Sequence, residues 1–180
     1  DRDGLAGVSS INANLSNVCI EMEEAQVPMR VRCYGLIPDS GGAGKFRGGL
    51  AVEREWELLT PEANFTFRTD RRKFPPYGLF GGKPGQASWN YLNPDTENQV
   101  LPTKINMRWK NGDVFRHTSP GGGGYGDPLE RDPQMALWDW RNHKVTAQHL
   151  QEEYGIVIDA EAGVVDEGKT AELRAQMRGR

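Results

Sequence analysis

Three glycine-rich segments hold most of the residues that could take part in chemistry. They cover residues 39–49, 70–82 and 118–128, and the first two also carry Arg and Lys side chains beside the glycines. Glycine lets a backbone approach another backbone or a ligand closely, and consecutive N–H groups can face an oxyanion. Each segment taken singly is therefore either an anion-binding loop or a tight β-turn.

The first segment does not match the common nucleotide-binding motifs. In GGAGKFRGG the residue after Lys45 is Phe46, whereas a P-loop requires Ser or Thr at that position. The spacing of a dinucleotide-binding GxGxxG turn is not met either. We therefore expect no nucleotide site in this chain, and no ATP hydrolysis by the chain alone.

Histidine and cysteine give little support for a metal centre. The three histidines form no HxH, HxxxH or HExxH motif, and Cys19 and Cys33 stand 14 positions apart with no CxxC pair. We predict no metal site in this segment and two reduced thiols, which are typical of a cytoplasmic protein. Among the histidines, only His117 lies beside a glycine segment, while His143 and His149 follow in the tail.

Short runs of alternating apolar and polar residues must position these segments. Period-two patterns predict strands at 27–36, 50–59, 64–69, 88–92, 104–109 and 114–118. On the first strand we expect Val27, Met29, Val31 and Cys33 to share one face, and on the second Val52, Arg54, Trp56 and Leu58. Asn111-Gly112 predicts a type I′ hairpin between the last two strands, because both turn positions require positive φ.

The predicted fold is mainly β (α+β): an antiparallel β-sandwich or barrel with long Gly-rich loops and a small α/β C-terminal tail. We place the β-rich domain at residues 1–133 and the tail at 134–180. In the tail we expect a helix over 146–154 that ends at Gly155, a short strand at 156–158, and a helix over 169–178.

Composition excludes some partners. The 180 residues carry a formal net charge of −3 with acidic and basic residues mixed, so no basic patch predicts nucleic-acid binding. The sequence contains no run of 18 apolar residues, so it does not predict a membrane span. With 22 glycines, 11 prolines and only 37% hydrophobic residues, the chain favours long polar loops or completion by a partner.

Taken together and in order, the glycine segments are far more specific than any one of them. PMRVRCYGLIPDSGGAGKFRGGL, TDRRKFPPYGLFGGKPG and TSPGGGGYGDPLERDP resemble the C-terminal region of the hydantoinase B / 5-oxoprolinase family. Asn14, Asn17 and Ile20-Glu21 resemble the segment that precedes the first strand in that family. Cys19 and Tyr77 depart from it, standing where the family often has Pro and Trp.

The resemblance implies a segment of an ATP-dependent cyclic-amide hydrolase that helps to line the cavity for a phosphorylated intermediate. It implies a hydantoinase A-type ATP-binding subunit as partner, with ATP and a divalent metal used by partner subunits and no cofactor bound by this segment. The family's B-type subunit is several times longer, so the N-terminal part of that subunit is a second expected partner in a hetero-oligomer. We expect the chain to be inactive alone.

In this picture Arg47, Arg71 and Arg72 are candidates for binding a phosphate or carboxylate, because a guanidinium group matches both. The N–H groups of Gly121, Gly122, Gly123 and Gly124 could add to anion binding. Asp70, Asp127 and His117 would orient arginines or loops. The competing interpretation is that Asp39–Arg47 and Asp70–Arg71 are structural ion pairs.

Two alternatives to the hydrolase remain open. Relatives in the same family carboxylate acetone or acetophenone, so the chain could belong to an ATP-dependent ketone carboxylase. It could also be a non-catalytic assembly module, and the stretch from Trp138 to Trp140 suits a surface that other chains cover.

Overall fold

The computed structural model describes residues 2–8 and 16–179. The predicted residue Asn14 lies outside this range. The described residues form four α-helices: α1 (Ile20–Gln26), α2 (Pro133–Arg141), α3 (Ala147–Tyr154) and α4 (Glu167–Arg178). The same residues form nine strands: β1 (Met29–Leu36), β2 (Val52–Leu58), β3 (Glu62–Arg68), β4 (Trp89–Leu92), β5 (Gln99–Val100), β6 (Lys104–Lys110), β7 (Val114–Thr118), β8 (Ile158–Asp159) and β9 (Val164–Val165). The predicted antiparallel α+β class is confirmed.

The largest sheet has five antiparallel strands in the order β1-β2-β7-β4-β5. Its register aligns Tyr34 with Arg54, Arg54 with His117, and His117 with Asn90. Because directly paired residues point to the same side of a sheet, these four side chains form a row across four strands. The next row joins Trp56 of β2 to Phe115 of β7, one pleat further along the same face.

A β-bulge in β1 corrects the predicted face of that strand. Val31 pairs with Trp56 and Cys33 with Glu55, so Arg32 is the extra residue. A bulge leaves one residue without a partner and reverses the alternation after it. Tyr34 therefore shares a face with Val31, and Cys33 does not.

The second layer is the antiparallel pair β3–β6, which lies over the same face of the large sheet. Phe65 and Phe67 of β3 contact Phe115, with ring centroids 4.6 and 4.8 Å away, and Phe65 also lies 5.0 Å from Trp109. Aromatic side chains bury large areas in such tilted pairs. This aromatic sandwich core also includes Leu58, Leu92, Leu101 and Ile105.

The predicted hairpin at Asn111-Gly112 is wrong. Strands β6 and β7 lie in different sheets, and positive φ is found at Gly112 (82°) but not at Asn111. The N–H group of Asn111 donates to Pro61 O in the β2–β3 connection, and that of Gly112 donates to Leu58 O at the end of β2. The turn therefore connects the two layers of the sandwich, and tertiary contacts override its local preference.

The three glycine segments pack against each other backbone to backbone, together with residues 83–86; we call this region the glycine junction. Gly42 donates to Gly122 O (2.8 Å), Lys83 to Ala43 O (2.7 Å) and Gly124 to Lys83 O (2.9 Å). A Cβ placed on Gly121 would lie 1.8 Å from Ser40 O. Side chains have no room at such positions, which explains why glycine is needed there.

The C-terminal residues form a second apolar cluster beside the junction. Leu150, Tyr154 and Ile156 are fully buried there, and Ala43 of the first glycine segment belongs to the same cluster. Gly155 ends α3 with φ 61°, as the sequence predicted. Contacts thus cross residue 133, and the division of the chain at that position stays a prediction. No helix in the described ranges is long and apolar enough to span a bilayer.

Candidate functional site

A cleft of about 550 Å³ opens where the aromatic sandwich core meets the glycine junction. The core face of β2 and β7 continues into this cleft through Val52, Arg54 and His117. The Phe67 ring of β3 lies 5.0 Å from the His117 ring. The polar side chains of the cleft are Arg54, His117 and Ser119. Its other walls are formed by Leu5, Gly7, Val8, Gly49, Leu50, Val52, Pro120 and Gly122.

The neutral tautomer of His117 is fixed by Asn90. The Asn90 amide nitrogen donates to Pro102 O (2.9 Å) and Thr69 Oγ1 (3.2 Å). Because a carbonyl oxygen only accepts, these contacts fix the orientation of the amide. His117 Nδ1, 2.9 Å from Asn90 Oδ1, must then carry the hydrogen. Nε2 of the neutral ring is consequently an acceptor.

His117 is neutral at physiological pH. Burial lowers its pKa from 6.5 to about 4; a hydrogen bond with the Trp89 backbone opposes this shift, and the charges of Arg54 and Arg72 add to it. The pKa is too low for an imidazolium to serve as an anion-binding cation here. His117 can accept a proton or a hydrogen bond in the cleft, as a neutral base does.

Arg54 is the cation of the cleft. Its Nη2 donates to Tyr34 Oη (2.7 Å), and its guanidinium lies over the Tyr34 ring, 4.3 Å from the centroid. Glu53 and Glu55, its neighbours in β2, point to the opposite face, where both pair with Arg116. Within the part of the chain that the structure describes, Arg54 forms no ion pair.

Ser119 adds a hydroxyl group at the junction side of the cleft. Its Oγ accepts from the Val52 N–H (2.7 Å), while its own N–H donates to Val52 O (2.8 Å). These two bonds fix the residue to β2. A hydroxyl has one donor and two acceptor positions, so the O–H of Ser119 is available to a ligand.

Arg47 lies in a different place, inside a buried ion network. Its Nε is 2.9 Å from Asp139 Oδ2 and its Nη1 donates to Gly48 O (2.6 Å). Arg131 contacts the same Asp139 (2.7 Å) and Asp3 (2.7 Å). Two arginines thus face two aspartates, and the expected Asp39–Arg47 pair is wrong: Asp39 instead accepts from Thr146 N (2.7 Å).

Burial would raise the pKa of Asp3, but the hydrogen bonds and charge of Arg131, together with the Arg47 backbone N–H and charge, lower it. The Asp3 carboxylate is therefore ionised in the folded state. An anion-binding role for Arg47 would require breaking these contacts, and it stays a prediction.

Arg71 and Arg72 diverge from each other. Arg72 donates from Nε to Ser88 O (2.7 Å) and stacks over the Trp89 ring at 4.3 Å, so it braces the second segment against β4. Arg71 is exposed with φ 64°, and its backbone N–H donates to Asp70 Oδ1 (2.8 Å). Asp70 thus orients the backbone of its loop; no ion pair joins it to Arg71 among the described side chains.

Three glycines of the third segment donate their N–H groups to backbone carbonyls of the glycine junction. Gly121 donates to Gln86 O (2.9 Å), Gly122 to Gly49 O (2.8 Å) and Gly124 to Lys83 O (2.9 Å), while Gly123 lies against Tyr77 O. Anion binding by these groups would require opening the junction and stays a prediction. Asp127 accepts from Leu129 N (2.8 Å) and so begins the short 3-10 helix Pro128–Glu130.

The structure therefore brings His117 and Gly122 into the cleft together with Arg54 and Ser119, and it places the buried Asn90 against His117. Sequence reasoning missed Arg54, Ser119 and Asn90. Arg54 had a detectable signal, because it stands between Val52 and Trp56 on the apolar face of its strand. A charged residue at such a position is unusual in a core. Across residues 2–8 and 16–179, no three His, Cys, Asp or Glu side chains cluster in a way that could bind a metal.

Comparison with known proteins supports the resemblance found in the sequence. A Pseudomonas sp. (strain NS671) protein, named as the B-type subunit of a candidate D-/L-hydantoinase, is 34% identical over 176 residues, which cover 96% of this chain and 29% of that protein. The crystal structure of the ATP-dependent caprolactamase from Pseudomonas jessenii matches with a TM-score of 0.77 and 32% identity, covering 87% of this chain and 28% of that one.

A nucleotide-free acetone carboxylase structure matches with a TM-score of 0.81 over 99% of this chain and 28% of that one. At 24% identity this likeness shows a common fold. The chain spans less than a third of the length of each of these relatives.

The family model described as hydantoinase B/oxoprolinase matches residues 1–128, which include β1, β2, β7, the three glycine segments and every residue that lines the cleft. This chain belongs to the hydantoinase B/oxoprolinase family.

Proposed function

We propose that this chain supplies one wall of the reaction cavity in an ATP-dependent cyclic-amide hydrolase of the hydantoinase/5-oxoprolinase type. The observation that carries the proposal is the cleft beside the glycine junction, with Arg54, His117 and Ser119 in its wall. The likeness to an ATP-dependent caprolactamase at 32% identity supports a cyclic amide as substrate.

The chemistry of amide hydrolysis is compatible with ATP binding by one subunit and amide binding by another. Amides resist water at neutral pH, and transfer of a phosphoryl group to the amide oxygen makes the carbonyl carbon a better electrophile. Such transfer depends on positioning and charge stabilisation around the phosphates. No P-loop occurs in this chain, so a hydantoinase A-type partner would bind ATP and any divalent metal. This chain would orient the amide and exclude bulk water.

The test is ATP-dependent ring opening by the assembled enzyme, prepared from this chain, an A-type subunit and the rest of a B-type subunit. Caprolactam, 5-oxoproline and hydantoin serve as substrates. The chain alone should turn over none of them, and His117→Gln or Ser119→Ala in the assembly should lower turnover while the complex still forms. Unchanged turnover in both variants would contradict the proposal. Acetone with bicarbonate, given to the same preparation, tests the carboxylase alternative.

A second role, in assembly, is favoured by an aromatic patch on the glycine junction, formed by Tyr77, Leu79, Phe80 and Tyr125. Tyr77 and Phe80 are 73% and 77% exposed, and the Phe80 and Tyr125 rings lie 5.1 Å apart. Aromatic residues are enriched in interfaces between proteins. The chain spans 28% of the matched caprolactamase chain, so we propose the larger remaining part of a B-type subunit as the occupant.

Pull-down of that remaining part by this chain tests the assembly role. Phe80→Ser should weaken the complex by about tenfold or more, as loss of a central aromatic anchor does. Val100→Ser, at an exposed site outside the patch, should leave it unchanged. Trp138→Ser tests the surface predicted from sequence, because Trp138 is 57% exposed while Trp140 packs on the C-terminal cluster. Equal binding by the wild type and Phe80→Ser would remove the patch from the interface.

A further inference from the structure

We infer that the cleft binds a small monocarboxylate with an apolar body, and that Arg54 receives the carboxylate. The inference rests on the proposed function only in taking the cleft as a binding site; the ligand class follows from charge and lining.

Arg54 has no carboxylate partner among the residues that the structure describes. Other buried or half-buried arginines have several partners: Arg47 and Arg131 contact Asp139, Arg116 contacts Glu55, and Arg72 donates to two backbone carbonyls. Arg54 is half-buried and has a phenol oxygen as its partner. A carboxylate matches the two parallel donors of a guanidinium, and it would stabilise the half-buried charge of Arg54 more strongly than a neutral acceptor does.

The charge of the cleft lining limits the charge of the ligand. Arg54 and His117 are the titratable groups in the lining, and His117 is neutral above about pH 4. Arg54 is the one cation among the lining residues, and Arg72, whose charge also acts on His117, lies outside the lining and donates to Ser88 O and Leu101 O. A monoanion therefore fits better than a phosphate dianion. The remaining polar groups, Ser119 O–H as donor and His117 as acceptor, can serve neutral polar atoms of the same ligand.

The apolar part of the cleft lining indicates the kind of skeleton that the ligand has. Leu5, Val8, Leu50, Val52 and Pro120 form the apolar part of the lining. A cleft of about 550 Å³ lies within the size range of sites for small molecules. An aliphatic or lactam-sized skeleton could rest on these side chains while its carboxylate reaches Arg54.

The experiment is a titration of the isotope-labelled 180-residue chain by amide NMR, with hexanoate, hexanamide and inorganic phosphate as probes. Hexanoate should shift the signals of Arg54, His117 and Ser119 with a Kd of about 1–10 mM, as expected for a ligand of this size. Hexanamide should bind at least about tenfold more weakly, because loss of a charge-assisted bond costs that much.

Arg54→Gln should weaken hexanoate binding by about tenfold, and Arg54→Lys by less. Arg108→Gln, an exposed arginine on β6, is the matched control and should leave binding unchanged. If Arg54→Gln fails to fold, Tyr34→Phe takes its place in the test, because this variant removes the phenol oxygen that contacts Arg54 and retains the Arg54 charge. Equal affinity for hexanamide, equal affinity of Arg54→Gln, or tighter binding of phosphate than of hexanoate would each overturn the inference.

This titration uses neither ATP nor a partner. Hexanoate binding with no effect of cleft variants on turnover would remove the proposed function and leave the inference standing. If turnover depended on His117 but the chain did not bind hexanoate, the inference would be removed and the proposed function would stand.

Discussion

The aromatic sandwich core and the glycine junction solve the same problem of close packing in opposite ways. In the sandwich, Phe65, Phe67 and Phe115 fill the space between two sheets with side chains. In the junction, Gly48, Gly121 and Gly123 have no side chains, and backbone carbonyls occupy the space where a Cβ would be. The sandwich is stabilised by buried apolar area, and the junction by backbone hydrogen bonds between its segments.

This difference predicts different tolerance to substitution. A side-chain core can adjust rotamers and fill volume in several ways, whereas a backbone carbonyl at a Cβ position can only move with its whole segment. The junction should therefore resist any change of residue, while the sandwich should accept apolar replacements of similar volume.

The largest effect is expected for Gly121→Ala. The new Cβ would lie 1.8 Å from Ser40 O, so two segments must separate. We expect a loss of about 4–5 kcal/mol or more in the free energy of unfolding, or no folded protein. Gly35→Ala is the matched control, because nothing lies within 4 Å of its Cβ position. Urea unfolding of both variants measures the contrast, and similar stability of the two would show that the junction is adjustable.

The next effect concerns the ion network beneath the junction. Asp139→Asn leaves Arg47 and Arg131 buried against a neutral amide, and should lower the free energy of unfolding by about 3–5 kcal/mol. Glu62→Gln breaks the exposed pair with Arg108 and should cost about 1 kcal/mol or less. If chemical denaturation found Asp139→Asn as mild as Glu62→Gln, the network would not be a stabilising part of the junction.

A smaller effect is expected from pH at the edge of the sandwich. The unfolded chain protonates His117 near pH 6.5, whereas the folded chain does so near pH 4. Between these values the unfolded state binds more protons, so stability should fall as the pH is lowered from 6.5 towards 4. The contribution is on the order of 1–3 kcal/mol, and comparison of wild type with His117→Gln in denaturation curves at several pH values isolates it. The same pH dependence in both proteins would assign it to other groups.

The smallest effect is expected for Met107→Leu. Met107 packs on the sandwich core, and a swap of similar volume usually costs less than about 1.5 kcal/mol. Thermal unfolding should show a small shift with an unchanged cooperative transition. A loss comparable to that of Gly121→Ala would mean that the two regions are equally rigid.

Periodicity predicted most of the strands because side chains decide where strands form. Val114–Thr118 was predicted at its observed bounds, and the predicted strand at 104–109 lies within the observed Lys104–Lys110. The hairpin at Asn111-Gly112 failed because contacts with Pro61 and Leu58, which are distant in the sequence, decide the turn. The bulge at Arg32 also leaves no local pattern.

The candidate site was harder to predict than the fold. The glycine segments were correctly singled out, but sequence alone does not show whether an N–H group will face a ligand or another carbonyl. The partner of Arg47 is Asp139, 92 positions away, and only the folded chain brings them together. The sequence shows Arg54 as a charge on an apolar face. Whether Arg54 has an ion-pair partner depends on which side of the sheet Glu53 and Glu55 occupy, and only the structure shows that they pair with Arg116 on the opposite side.

The position of Asp139 has a consequence for how the protein is made. Ribosomes synthesise a chain from its N-terminus, so Arg47 and all three glycine segments are complete before Asp139 exists. Until α2 is added, the two arginines of the network lack the carboxylate that they share. A nascent chain that stops before Asp139 has every strand of the sandwich, but its Arg47 lacks the carboxylate that contacts it most closely in the folded protein. We therefore expect this buried ion network to be completed late in biosynthesis, because it depends on a helix that lies beyond residue 128, where the family match ends.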